Sequence, residues 1–234
     1  TADIYSGGFG ADMGGRISSV MDLTTRDGNK KHISGKIGAS TFGAKILLEG
    51  PIVKQKEDQG GSSSFLLSYK NSYLEQSSKI FYGYINEDGL PFNYNDFYGK
   101  ISLNSANGSK INFFAINYND KATYQGLSEY AWDAVGGGTN FVVIPGAAPV
   151  LIDGNFAYSS YKIGLEEINR PTRQSSISGF NGGLNITYFL GKDQLKFGFE
   201  MLGFATDFNY TNSANRVISQ TQFTSEIAPY FTYK

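Results

Sequence analysis

Apolar and polar residues alternate along most of this chain with a period of two, the spacing of a strand whose successive side chains point to opposite faces. Between 44 and 52, Ala44, Ile46 and Leu48 share one face while Lys45 and Glu49 share the other. Between 194 and 211, Leu195, Phe197, Phe199 and Met201 oppose Lys196 and Glu200. Three further stretches set Lys70, Lys100 and Lys162 opposite Phe65/Leu67/Tyr69, Phe97/Ile101/Leu103 and Tyr161/Ile163/Leu165. The pattern predicts about ten strands. They run over 32 to 40, 44 to 52, 63 to 74, 93 to 105, 110 to 120, 139 to 145, 151 to 166, 175 to 190, 194 to 211 and 217 to 233. Upstream, a Gly-rich turn followed by Ile17, Ser19, Met21 and Leu23 reads as one more strand, leaving at Asp27-Gly28.

Many of these stretches have the length of roughly 9 to 11 residues that a tilted membrane strand needs. A charged side chain facing lipid near the bilayer midplane costs about 2 to 4 kcal/mol, so segregation of charge from the apolar face is expected of a barrel. A soluble sandwich, whose apolar face packs on a second sheet, predicts nearly the same pattern. Connectors are uneven: Asn107-Gly108-Ser109 and Gly191-Lys192-Asp193-Gln194 are tight, whereas 75 to 92 and 121 to 138 read as long loops rich in Tyr, Gly and acidic residues. Short turns on one side and long loops on the other suit an outer-membrane barrel, although 41 to 43 and 53 to 62 break the rule. Tyr and Phe gather near strand ends, as interfacial girdles would, or as plain β-propensity would.

Composition narrows the chemistry. The 234 residues include 18 Phe, 16 Tyr and 29 Gly but only 6 Pro, favouring many strands and turns. There is no Cys, so disulfides, thiolate metal sites and a Cys nucleophile are excluded. The single His32 removes His-rich metal sites and argues against a His-based triad. A net charge of -1 offers no footprint for nucleic acid. The longest apolar run, 141 to 152, is broken by Pro145, Gly146 and Pro149, which excludes a membrane-spanning helix. Gly8-Phe9-Gly10 begins a dinucleotide fingerprint that Met13 ends. Glu166-Glu167 point to opposite faces and cannot flank one glycosidic bond. Asp58, Asp88, Asp120 and Asp153 do not follow a calcium-loop pattern, and neither an enzyme, a metal site nor a cofactor is expected.

Two motifs carry a resemblance. Gly14-Gly15-Arg16-Ile17-Ser18-Ser19-Val20 leads into Thr25-Arg26-Asp27-Gly28-Asn29, and Glu49-Gly50-Pro51-Ile52 is followed by Ser64-Phe65. In order and spacing this resembles the end of the plug and the first barrel hairpin of TonB-dependent outer-membrane receptors of the Bacteroidota type, with Met13 where an aromatic is usual. The resemblance implies an all-β chain: 1–28 as the C-terminal end of a plug domain, and 29–234 as the N-terminal part of a transmembrane barrel of about 22 antiparallel strands. Position 1 is Thr, with no signal peptide or TonB box ahead of it, so the chain reads as an internal fragment. Such a receptor binds a nutrient at the surface of the bacterial outer membrane and imports it when TonB, acting through an upstream segment, moves the plug. Its partners would be TonB, the lipid bilayer, a nutrient ligand and a surface lipoprotein.

Within that frame Arg16 and Arg26 are expected to pair with lumen-facing carboxylates such as Glu49, Glu200 or Glu226, or else to be solvated turn residues. Gly14 and Gly15 answer a backbone need, either positive φ or close approach. Phe81, Tyr82, Tyr84, Tyr124, Tyr130 and Trp132, beside Glu87, Asp88, Glu129 and Asp133, offer flat faces for a ligand, or pack the loops on one another. Two alternatives stay open: a passive outer-membrane pore or structural barrel of a surface complex, and a soluble carbohydrate-binding β-sandwich.

Overall fold

Each alternating stretch becomes one rung of a single meander. The structure, a computed structural model, describes residues 1–15, 18–55, 60–146, 148–212, 214 and 216–234; Arg16, Ile17 and Asp58 lie outside the described residues. β1 (Ala2–Tyr5) and β2 (Val20–Leu23) pair antiparallel, with a 3-10 turn at Ala11–Met13 between them. Ten strands follow: β3 (Ser34–Ala39), β4 (Gly43–Val53), β5 (Ser62–Ser72), β6 (Phe92–Asn104), β7 (Lys110–Tyr124), β8 (Ser128–Val143), β9 (Val150–Glu167), β10 (Arg173–Leu190), β11 (Asp193–Thr211) and β12 (Val217–Tyr233). They form one antiparallel sheet in unbroken chain order from β3 to β12. α1 (Leu74–Phe81) lies between β5 and β6.

One predicted loop is a hairpin instead. Residues 121 to 138 extend β7 and β8, which pair from Lys110↔Val142 to Tyr124↔Ser128. The run Gly136-Gly137-Gly138 suggested a loop, yet it sits inside the ladder because there is no room for side chains. A Cβ on Gly138 would fall 2.4 Å from the Phe156 carbonyl oxygen. The loop over 75 to 92 is likewise partly helical.

Register divides the sheet into two unlike faces. One cross-strand row reads Ile227, Met201, Gly182, Phe156, Thr139, Phe113, Ile101, Phe65 and Gly50. Rows above and below it on the same face hold Phe199, Leu184, Phe141, Leu103, Phe180, Leu67 and Leu48. The band ends at a polar row of Asp207, Ser176, Lys162, Asp133, Asn119, Asn95 and Asn71. From Leu195 to Ala205 along β11, about 3.3 Å per residue at a 45° tilt makes the band about 23 Å high, close to the roughly 25 Å apolar band of membrane barrels.

Lys162 therefore belongs to this face, beyond the band, while Tyr161, Ile163 and Leu165 share the other face with Lys100. The strand alternates as expected, but polarity alone did not reveal that its pattern switches faces where β9 runs past the band. Tyr94, Tyr98, Tyr210 and Tyr230 also turn to the face of Lys100, so only part of the aromatic set borders the band.

Burial is inverted relative to an oil-drop core. Among the described residues, the buried hydrophobic side chains are Leu66 and Ala122, whereas Glu49, Ser64, Lys100, Ser102, Asn112 and Thr187 are all buried. Phe113, Phe156 and Ile101 on the band are exposed. The only other sheet among the described residues is the β1–β2 pair, which is itself exposed.

α1 is fastened by hydroxyls. Ser78 is fully buried; its Oγ accepts from the Leu90 N–H at 2.7 Å and donates to the Glu75 carbonyl at 3.3 Å. Ser77 donates to the Thr41 carbonyl at 2.5 Å and Asn93 to Glu75 at 2.7 Å, tying the helix to the β3–β4 turn and to β6. Ser78→Ala removes the side-chain partner of the part-buried Leu90 N–H, at a cost of about 1 kcal/mol. Hydrogen exchange across 74–91 is expected to speed up in that variant, with the β9–β11 ladders unchanged.

Candidate functional site

The polar face is not bare: the chain ahead of β3 is strapped across it at two places, one between β1 and β2 and one between β2 and β3. At the first, Asp12 in the 3-10 turn accepts from Lys196 of β11 at 2.6 Å. That bond outweighs burial and holds the Asp12 carboxyl below its ordinary pKa. The Lys196 ammonium stands 5.8 Å from the Tyr230 ring centroid, and Tyr230 donates to Asn185, which donates in turn to Asp153 at 2.7 Å. Gly15 has φ 71°, in the left-handed region, and Gly14 has φ -56°. A Cβ on Gly15 would stand 4.0 Å from Oε1 of Glu226, so this turn lies above β12. Glu200, on the same face, accepts from Asn181 at 3.3 Å.

The second anchor crosses β4 to β7. Arg26 grips Glu49 with both guanidinium nitrogens, Nη2 donating to Oε1 at 3.0 Å and Nη1 to Oε2. Ser34 adds a third bond to Oε1 at 3.3 Å. Bidentate geometry with the carboxylate mostly buried makes this pair stronger than an open surface contact. The Glu49 bond, opposed by desolvation, raises the Arg26 guanidinium above its ordinary pKa.

One residue further on, Asp27 gathers three lysines: Lys110 at 2.9 Å, Lys100 at 3.2 Å and Lys30 at 3.5 Å. Ser102 donates to the same carboxylate at 3.0 Å, and Lys100 donates also to the Thr25 carbonyl at 2.9 Å. Thr25 and Tyr98 hydroxyls meet at 2.6 Å. Burial alone would push the Asp27 carboxyl up; bonds from Lys110, Lys100 and Ser102 together override it and hold the pKa at about 2. Gly28 then passes so close to β5 that a Cβ would lie 2.0 Å from the Phe65 carbonyl oxygen, which makes glycine obligatory there.

The structure thus brings Arg26 to Glu49, sets Glu200 and Glu226 on the same face under the first anchor, and leaves Arg16 outside the described residues. Sequence reasoning treated Asp27 only as a turn residue and passed over Asp12. The available signal was Lys100, a lysine among apolar neighbours on a long strand, which needed a carboxylate from elsewhere.

The aromatic candidates fall into two groups. Tyr82 stacks on Phe42 at 5.8 Å and shares a 2.9 Å hydrogen bond with Thr41, so it packs α1 onto the β3–β4 turn. Phe81 and Tyr84 beside it are exposed. Tyr124, Tyr130 and Trp132 lie on strands rather than in a loop, in an edge contact at 6.3 Å and a stack at 6.0 Å on the face of Lys100. Their acidic neighbours are engaged: Lys121 pairs with Glu129 at 2.7 Å, and Asn119 donates to Asp133 at 2.6 Å. Among the described residues no group of three or more His, Cys, Asp or Glu gathers to hold a metal ion, and no helix is long and apolar enough to cross a membrane.

A depressed carboxyl stabilises the docked segment above its undocked pKa of 3.8, and that contribution disappears as pH falls towards about 2. The shift corresponds to about 2 kcal/mol at neutral pH. Asp27→Asn is expected to loosen 25–30 at pH 7 about as much as wild type loosens near pH 2; limited proteolysis and hydrogen exchange between pH 2 and 7 read both. No protein-family model matches the chain and no curated protein matches it, which leaves this geometry as the ground for a functional reading.

Proposed function

We propose that this chain is part of a TonB-dependent receptor of the bacterial outer membrane. Residues 1–28 end the plug, and 29–234 begin a barrel of about 22 strands. The observation that carries the reading is the inverted sheet: an exposed apolar band about 23 Å high, close to the apolar height of a membrane barrel, backed by a polar face on which Glu49, Lys100, Asn112 and Thr187 are buried. A wet lumen suits Lys100, Asn112 and Thr187, and lipid suits Phe113, Phe156 and Ile101. Support also comes from the charged strap, which lies on the face a plug would touch. Among the described residues β3 and β12 each leave one edge unpaired in the ten-stranded sheet, and a bilayer tolerates no open edge, so further strands would close the barrel.

Import is then gated passage. A nutrient binds at the loop side, TonB pulls through a segment upstream, and anchors of the Asp27 and Arg26 kind hold the plug until force is applied. Charge pairs in a partly dry channel are suited to this, because water entering during movement stabilises the separated ions. A surface lipoprotein covering the mouth fits the same scheme.

Two measurements test the reading. With intact protein in outer membranes, uptake of one class among labelled iron chelates, cobalamin, oligosaccharides and peptides is expected to require functional TonB; TonB-independent uptake would make the protein a passive pore. Phe113→Arg, in the middle of the band, is expected to cost about 2 to 4 kcal/mol in denaturant titrations of the bilayer-inserted full-length protein. An unchanged midpoint would remove lipid from the band.

A further inference from the structure

The polar face carries two adjoining hollows at its loop end. The larger, of about 850 Å³, is floored by Ala134, whose small side chain sits between Tyr118 and Tyr161 in one cross-strand row. Trp132 and Asp120 face each other in the next row, with Tyr94 on the far side of Asp120. The second hollow, of about 300 Å³, is lined by Lys45 and shares Lys70 and Tyr94 with the first. Between the two, Lys70 and Asp96 neutralise each other at 3.6 Å.

Two charges are left over, one at each end. Among the described residues neither Asp120 nor Lys45 has an ion pair or side-chain hydrogen bond. Lys45 faces Lys70 directly across β4 and β5, so its own row adds repulsion rather than a partner. Asp120 lies three strands away and two residues along β7 from that row, about 16 Å at 4.8 Å per strand and 3.3 Å per residue. A neutral ligand covering both hollows would desolvate these charges without pairing them. A ligand with an ammonium at one end and a carboxylate at the other satisfies both, and the rings of Trp132, Tyr118 and Tyr161 add a cation-binding and apolar wall. Extended peptide advances about 3.3 Å per residue, so about 16 Å asks for roughly four to five residues.

We propose that these hollows bind a short peptide with free ends, its ammonium at Asp120 and its terminal carboxylate at Lys45. The site names a cargo class for the receptor reading and rests on that reading only in taking the bound peptide as cargo.

Calorimetry on the full-length protein in detergent, with tetraalanine, its N-acetylated form, its C-amidated form and a neutral tetrasaccharide, tests the site. Tetraalanine is expected to bind, and each blocked end to weaken binding about tenfold, the scale of one charge-assisted pair. Asp120→Asn should reproduce the loss from acetylation and be indifferent to it; Lys45→Met should do the same for amidation. Both positions are exposed, so native folding is expected, and circular dichroism and resistance to denaturant check it. Equal binding of blocked and free peptides, preference for the tetrasaccharide, or no binding by the folded protein would overturn the site. Peptide bound by its two ends but taken up without TonB would sink the importer reading alone; TonB-dependent uptake with indifferent ends would sink the site alone.

Discussion

With only Leu66 and Ala122 buried among the apolar side chains of the described residues, the ladder of backbone hydrogen bonds carries this architecture. Each strand from β5 to β11 is paired on both sides along most of its length, so a local slip would have to break two ladders at once and move every side chain to the wrong face. Chain order adds to the effect, because neighbours in space are neighbours in sequence and, apart from the α1 connection between β5 and β6, the links are short. Glycine supports the ladder from inside: at Gly138 the neighbouring backbone comes closer than any side chain would allow.

The strap supplies what the ladder lacks, a contact between distant parts of the meander. Asp12 reaches β11 while Arg26 and Asp27 reach β4, β6 and β7, so one short segment spans most of the sheet's width. Its bonds are ionic and partly buried, a combination whose worth depends on keeping every member paired. Lys100 shows the dependence most clearly. Without Asp27 and Thr25 it would be a buried ammonium with no acceptor among the described residues.

Strand positions were largely legible because alternation with period two is local information, and the ends of β4, β6 and β11 fall within a residue or two of where the pattern put them. The Gly136 to Gly138 run misled because glycine marks a turn by its conformational freedom, and marks a crowded ladder by its lack of a side chain; only the neighbouring strand tells the two apart. The face change in β9 was hidden for a similar reason, since apolar residues suit both a band facing outward and a ring-lined hollow facing inward. Of the candidate site, Arg26 and Glu49 were legible as opposite charges in neighbouring motifs. Asp27 and Asp12 were not, because their partners lie up to 184 positions away along the chain.

The two anchors also differ in rank. Asp12 meets one lysine, whereas Arg26 and Asp27 together engage a bidentate carboxylate, three ammonium groups and the Ser102 hydroxyl. Tension entering from the N-terminal side would reach them in series rather than in parallel. The strap would then peel like a zipper that begins at its weakest tooth, and the peak force would be set by the Arg26–Asp27 cluster alone, however many contacts preceded it.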